Sequence, residues 1–210
     1  MWGVLTILSN TKGLVVVSVT LVYHKDWLTS LNQLLAGSAT VLDIGCGPGG
    51  ILRQLNCSVK IGIDVHRPYL QSALQGGGII PIHLEATRLA EIFVPKSIDC
   101  VTMIDVIEHL EKDNGLSVLQ QAQSVARNRV IVFTPNGYFK QEEVDFFHLG
   151  GETYQRHRSG WEVDDFTRQG FNVIVFDKFH DARNPAFVNS YGPDSPPIDA
   201  LLAWKDCGRK

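Results

Sequence analysis

Thr40-Val41-Leu42-Asp43-Ile44-Gly45-Cys46-Gly47-Pro48-Gly49-Gly50 is the stretch on which the reading of this chain turns. Residues 41–44 form a short apolar run carrying one acid, the pattern of a strand buried on both faces. Gly45, Gly47 and Gly49 permit positive φ and let a ligand approach the bare backbone. Pro48 suits the first turn of a following helix, where a missing N–H costs nothing. The expectation is therefore strand, glycine turn, helix, with the helix N–H groups facing an anionic group above the loop. Such a unit is a nucleotide-type cofactor site.

Charge narrows the cofactor. A dinucleotide loop presents a pyrophosphate to the helix and is spaced G-x-G-x-x-G. Here the spacing is G-x-G-x-G, with Asp43 two residues before the first glycine. A carboxylate there repels a pyrophosphate but suits a zwitterion, whose ammonium it can pair. The methionine part of S-adenosylmethionine (SAM) is such a zwitterion. An NAD-linked enzyme is disfavoured on the same grounds.

The chain has 210 residues, 44% of them hydrophobic, which suits one α/β domain over residues 1–210. A formal net charge of -3 makes no electrostatic case for a nucleic-acid surface. Cys46, Cys57, Cys100 and Cys207 are far apart and read as reduced thiols, which points to the cytoplasm. The apolar run at 14–23 is too short for a membrane span of about 20 residues and lacks the features of a secretory signal. It is expected to be an extra strand or a loosely ordered extension, within an uncertain segment 1–23.

After the loop, strand and helix patterns alternate. Helices are expected at 24–36, ending at Gly37, then at 68–75, around Leu116 to Ala126 by spacing, and at 161–169. Strands are expected at 41–44, 59–65, 79–84, 98–104, 129–133, 172–177 and 198–205, with a loop at 184–197. The implied fold class is α/β, a doubly wound and mostly parallel sheet with the ligand at the carboxyl ends of its strands. Those ends carry Asp43, Asp64, Glu85 and Asp105. Asp64 lies about 20 residues beyond the glycine loop, where an acid can accept from both ribose hydroxyls.

The segments Val41-Leu42-Asp43-Ile44-Gly45-Cys46-Gly47-Pro48-Gly49, Ile61-Gly62-Ile63-Asp64, Ile98-Asp99-Cys100-Val101 and Asp105-Val106-Ile107-Glu108-His109-Leu110 resemble successive motifs of class I SAM-dependent methyltransferases. The resemblance covers roughly residues 41–177. It implies a seven-stranded sheet with the last strand antiparallel. It also implies SAM contacts at Asp43, Gly45, Cys46, Gly47, Asp64, Val65, Glu85, Ala86 and Asp105. Glu85 departs from the Asp of many relatives and has a longer arm.

Methyl transfer from a sulfonium is an in-line displacement, so alignment supplies most of the acceleration. A base matters where the acceptor must lose a proton. His109, His148 and His157 are the histidines expected near the methyl group, with His109 and His157 assigned as catalytic. Asp105, Glu108, His109 and His157 also resemble a metal-binding arrangement of methyltransferases that act on small-RNA 3′ ends and in the ubiquinone pathway. Asp105 stands where those families have Glu and is wanted for SAM, so no metal ligand is assigned and activity is expected to survive chelation.

The segment 137–160 is the expected acceptor-side lid, with aromatic residues for a pocket and Arg156 and Arg158 for a carboxylate or phosphate. The function expected is O-methylation of a small-molecule or sugar-like acceptor, with no nucleic-acid or membrane partner. The runners-up are metal-assisted 2′-O-methylation of a small-RNA 3′ end and a SAM-binding module without catalysis.

Overall fold

The computed structural model describes residues 3–5, 17–23 and 25–208. Its central feature is one sheet made of the strands β1 (Gly3–Leu5), β2 (Val19–Val22), β3 (Thr40–Ile44), β4 (Val59–Asp64), β5 (Ile80–His83), β6 (Ile98–Ile104), β7 (Ala126–Pro135), β8 (Asn172–His180) and β9 (Ile198–Asp206). They lie in the order β1-β2-β8-β9-β7-β6-β3-β4-β5. The strands from β7 to β5 in this order are parallel, and β9 runs antiparallel to both β7 and β8. The last strand is thus antiparallel, as the resemblance implied. Seven strands correspond to those read from the sequence. The other two, β1 and β2, extend the edge, and β2 pairs parallel with β8. The extra-strand reading of the apolar run holds over Val19–Val22, and residues 14–16 lie outside the described residues.

The chain leaves β3 toward β4 and β5, then crosses back to β6 and β7. The sheet order therefore reverses between β3 and β6, where an open α/β sheet leaves a crevice at its strand ends. All seven residues of β6 are buried, consistent with a central strand covered on both faces.

Helices cover those faces. Among them are α1 (Trp27–Leu34), α2 (Arg67–Gln75), α3 (Leu89–Ile92), α4 (Lys112–Val125), α5 (Glu152–Gln155), α6 (Val163–Thr167) and α7 (Pro185–Tyr191). Asp26 caps α1 by accepting from the Thr29 amide, so the helix starts after His24, which lies outside the described residues. The expected loop at 184–197 instead contains α7, where Asn184 accepts from the Ala186 amide and Pro185 occupies the first turn.

Two departures bear on the site. The expected helix after the glycine loop does not form, and turns lead only to a 3₁₀ turn at Leu52–Gln54. Trp161 does not start a helix either. It bridges Asn136 and Gly137 and is fully buried. Its ring packs against Phe166 with centroids 5.5 Å apart, and the Lys112 ammonium lies 3.8 Å from its centroid. Gly115 on α4 leaves room for that ring, since a Cβ there would come within 2.6 Å of it. Trp161 thereby fastens the end of the 137–160 segment to α4.

Removing this ring opens a large cavity at a packed junction. Trp161→Ala should cost about 3–5 kcal/mol of unfolding free energy, measured by urea denaturation. A loss below about 1 kcal/mol, typical of an unremarkable site, would contradict this account of the junction.

Candidate functional site

A cleft of about 760 Å³ opens at the carboxyl ends of β3, β4 and β6. It is lined by every residue assigned from the sequence: Asp43, Gly45, Cys46, Gly47, Asp64, Val65, Glu85, Ala86, Asp105, His109 and His157. His148 is not among its lining residues. It sits exposed in the lid with a φ of 55°.

The glycine loop is held by the neighbouring strand. The Gly45 and Cys46 amides both donate to the Ile63 carbonyl, and the Gly49 amide donates to Cys46. Gly47 donates to Asp64 Oδ2 at 2.9 Å. These N–H groups are therefore already engaged, which corrects the expectation of free helix amides aimed at an anion. Gly45 has a φ of 69°, and a Cβ there would lie 2.2 Å from Val106, so the loop requires glycine at this place.

Asp64 is fixed at both oxygens, with His66 N–H donating to Oδ1 at 2.8 Å. An ionised carboxylate has about four acceptor sites, so capacity remains for ligand hydroxyls. Burial raises its pKa. Asp43 is 3% exposed and accepts from Thr102 Oγ1 at 2.7 Å. Burial outweighs that bond and pushes its carboxyl up to about 7. Asp105 has a φ of 49°, an uncommon conformation of the kind found at functional sites. Its residue is exposed to the cleft, yet desolvation between the walls pushes its carboxyl up to about 7.

Glu108 is buried beside it. Thr134 at the end of β7 donates to Oε2 at 2.9 Å, whereas Oε1 is buried without a hydrogen-bond partner. Burial, and after it the Asp105 charge, raise the Glu108 pKa well above its ordinary value. The Glu108 carbonyl accepts from the amides of Arg158 and Ser159, which brings the lid's returning limb alongside.

That limb carries His157. Its ring and that of His109 meet edge to face at 4.6 Å. His109 Nδ1 donates to the Arg156 carbonyl at 3.2 Å, and His157 Nδ1 donates to the Phe139 carbonyl at 2.7 Å. A carbonyl only accepts, so each ring carries its proton on Nδ1 and its lone pair on Nε2. Burial lowers the His109 pKa to about 3 and the His157 pKa to about 4, leaving both uncharged at neutral pH. Glu108, His109 and His157 each offer a ligand atom within 4.8 Å of the others. Asp105 is outside this group.

The cleft wall includes Phe139, Phe146 and Tyr154 as well, the last with its ring 5.5 Å from that of His66. It also includes His180 at the end of β8, which the sequence reading missed. Its only signal was a position at the end of an apolar strand. The Arg158 guanidinium donates to the carbonyls of His109, Thr153 and Arg156 and so ties the lid to the turn after β6 rather than acting as an anion clamp. Among the described residues it is the only Lys or Arg lining the cleft.

These shifts set a pH dependence for the ligand-free protein. Asp43 and Asp105 keep protons up to about 7 when folded, against an unfolded value near 4. Their contribution is full below the unfolded value and lost as pH rises through about 7. His109, His157 and His180, lowered to about 3, 4 and 4, act oppositely, losing stability as pH falls below about 6.5. Above about pH 6.5 only the carboxyls remain in play, so the melting midpoint should fall between about pH 6.5 and 8.5. Asp43→Asn should flatten that slope in calorimetry. A midpoint that rises over this window in the parent protein would refute the assignment.

Residues 41–129 match the family model described as a methyltransferase domain. No curated protein matches the chain in sequence. Solved structures similar to it include the YcgJ protein from Bacillus subtilis, at 15% identity and a TM-score of 0.61, over 89% of this chain and 100% of that one. A SAM-dependent methyltransferase from Archaeoglobus fulgidus is 18% identical with a TM-score of 0.56, over 86% and 92% of the two chains. The magnesium protoporphyrin IX methyltransferase from Synechocystis PCC 6803, with bound SAH, is 17% identical with a TM-score of 0.53, over 87% and 83%. At these identities the likeness concerns the fold. Residues 41–129, which hold the glycine loop and the acids that follow it, thus match a methyltransferase domain, in a chain with the fold of class I SAM-dependent methyltransferases.

Proposed function

We propose that this methyltransferase transfers the methyl group of SAM to an oxygen of a small, uncharged or sugar-like acceptor. The observation that carries the reading is the pair of uncharged imidazoles, His109 and His157, whose rings meet in the wall of the acid-lined cleft. In the cofactor half, Asp43 pairs with the ammonium, and Gly45, Cys46 and Gly47 form the floor. Asp64, with Val65 beside it, receives the ribose hydroxyls, Glu85 and Ala86 meet the adenine, and Asp105 lies near the methionine part. The segment 137–160 lies over the acceptor within one domain.

Transfer proceeds in line. The acceptor oxygen forms the new C–O bond as the C–S electrons return to sulfur. Alignment supplies most of the acceleration, and an Nε2 of His109 or His157 takes the proton leaving the oxygen. An RNA phosphodiester is the weaker acceptor, because Asp43, Asp64, Glu85, Asp105, Glu108 and Glu111 line the cleft and its one guanidinium is engaged. No described helix is long and apolar enough to cross a membrane. All four cysteines are free, which supports work in the cytoplasm.

Asp64→Ala should abolish tight SAM binding in calorimetry while the melting transition persists, because the ribose loses two charge-assisted bonds. Unchanged SAM affinity, or preference of the parent protein for NAD, would sink the cofactor assignment. On the acceptor side, alanine at His109 or His157 should lower turnover roughly 10²–10⁴-fold with labelled SAM and an acceptor library. SAM affinity should stay near that of the parent. Full activity in both variants would move the chemistry elsewhere in the cleft.

A further inference from the structure

His180 stands in the wall of the cleft, 6% exposed, and methyl transfer as described above gives it no task. A bulge in β8 puts it there. The pairing of β8 with β9 shifts register between Phe176 and His180, and Lys178 inside that shift has a φ of 51°. Phe176 and Phe179 pack in one apolar cluster, although regular alternation sends residues three apart to opposite faces. Such a bulge re-aims the side chains that follow it and is frequent beside active sites.

A helix cap places the His180 proton. The side-chain oxygen of Asn184 accepts from the amides of Ala186 and Phe187 at the start of α7. Its Nδ2 is therefore the atom that meets His180 Nδ1, at 3.1 Å. An amide nitrogen only donates, so Nδ1 carries the lone pair and Nε2 the proton. This is the reverse of His109 and His157. His180 Nε2 is buried with no hydrogen-bond partner among the described residues. Such a donor forfeits its solvation and receives nothing in exchange. Burial above all lowers the His180 pKa to about 4, which leaves an uncharged donor at neutral pH.

We propose that His180 is a specificity-determining residue whose Nε2–H donates to a neutral oxygen of the acceptor, a second one besides the hydroxyl that is methylated. The inference rests on the function proposed above and narrows its substrate class to compounds with at least two oxygens. The Phe139 ring packs against His180 at 5.2 Å and against His157 at 5.7 Å, so one aromatic ring touches both the donor and an imidazole assigned as base. A small acceptor spans that interval, and turning of the Phe139 ring opens Nε2 to it. An anionic group is disfavoured, because Lys25, whose charge reaches His180, is already held by Asp181 and the Phe179 carbonyl.

Binding is read apart from transfer. The full chain loaded with SAH, the demethylated cofactor, is titrated with neutral hydroxy compounds, each paired with an analogue in which one oxygen is replaced by CH₂. 4-Hydroxyacetophenone and 4-ethylphenol form one such pair. At least one pair should differ about 10–100-fold in affinity for the parent protein, since a desolvated donor penalises the analogue that leaves it unpaired. His180→Phe should bring that ratio to about one by losing affinity for the oxygenated member alone. SAM affinity near that of the parent shows that the variant has folded. His180→Gln keeps an N–H donor, should restore part of the ratio, and serves if His180→Phe has not folded. Nitrogen-15 NMR of the labelled histidines should find the His180 proton on Nε2. A proton on Nδ1, absent or equal binding in every pair, or an unchanged ratio in the folded variants overturns the inference. Methylation of an acceptor oxygen despite any of these results would leave the proposed function standing. The expected ratios without methyl transfer to oxygen would keep the subsite and refute that function instead.

Discussion

Crowding of carboxyl groups with little opposing charge is the constraint on which this site depends. Asp43, Asp64, Asp105 and Glu108 converge at the carboxyl ends of β3, β4 and β6. The parallel sheet makes this convergence unavoidable, since every such strand delivers its last residue to the same edge. Desolvated carboxyls without cations respond by holding protons, and the raised pKa values of all four express this. A ligand that carries positive charge resolves the conflict. In the function proposed above, the sulfonium and ammonium of SAM do so.

The opposite wall is built by the lid, and the lid is pinned rather than loose. Asp145 accepts from the Tyr69 hydroxyl at 2.7 Å and from the amides of Phe147, Leu149 and Gly151. Burial pushes its carboxyl up, but these four donors more than offset that and hold it at about 2. Tyr69 belongs to α2, which begins just after Asp64, so the lid is fastened to the cofactor half. Lys112 ties the far end, donating to the Gly160 carbonyl and to Asp165. Between these two anchors His157 is held against Glu108.

Elements whose physics is local were legible. The run at 98–104 matches β6 because a largely apolar segment rich in β-branched residues, with an acid after it, has few other solutions. The expected helix after Gly49 failed because the loop amides found partners in the Ile63 carbonyl and Asp64. Arg158 looked like an anion clamp because nothing in its neighbours reveals that its guanidinium will meet two carbonyls of the folded lid and that of His109. His148 was favoured over His180 by sequence proximity, whereas the end of β8 reaches the cleft through the sheet order.

The sequence by itself determined the fold class and the place of Asp43, Asp64 and Asp105 at the carboxyl ends of β3, β4 and β6. Period, glycine placement and strand-end charge act over a few residues and leave their mark in the string. Only the tertiary structure decided that His157 stands against His109 and Glu108, that Asp105 does not join them, and that Glu108 keeps one bare oxygen. Those facts depend on how a pinned lid returns across the ends of β6 and β7. Its path is set by Asp145, Trp161 and Lys112 together, through contacts between residues far apart in the chain.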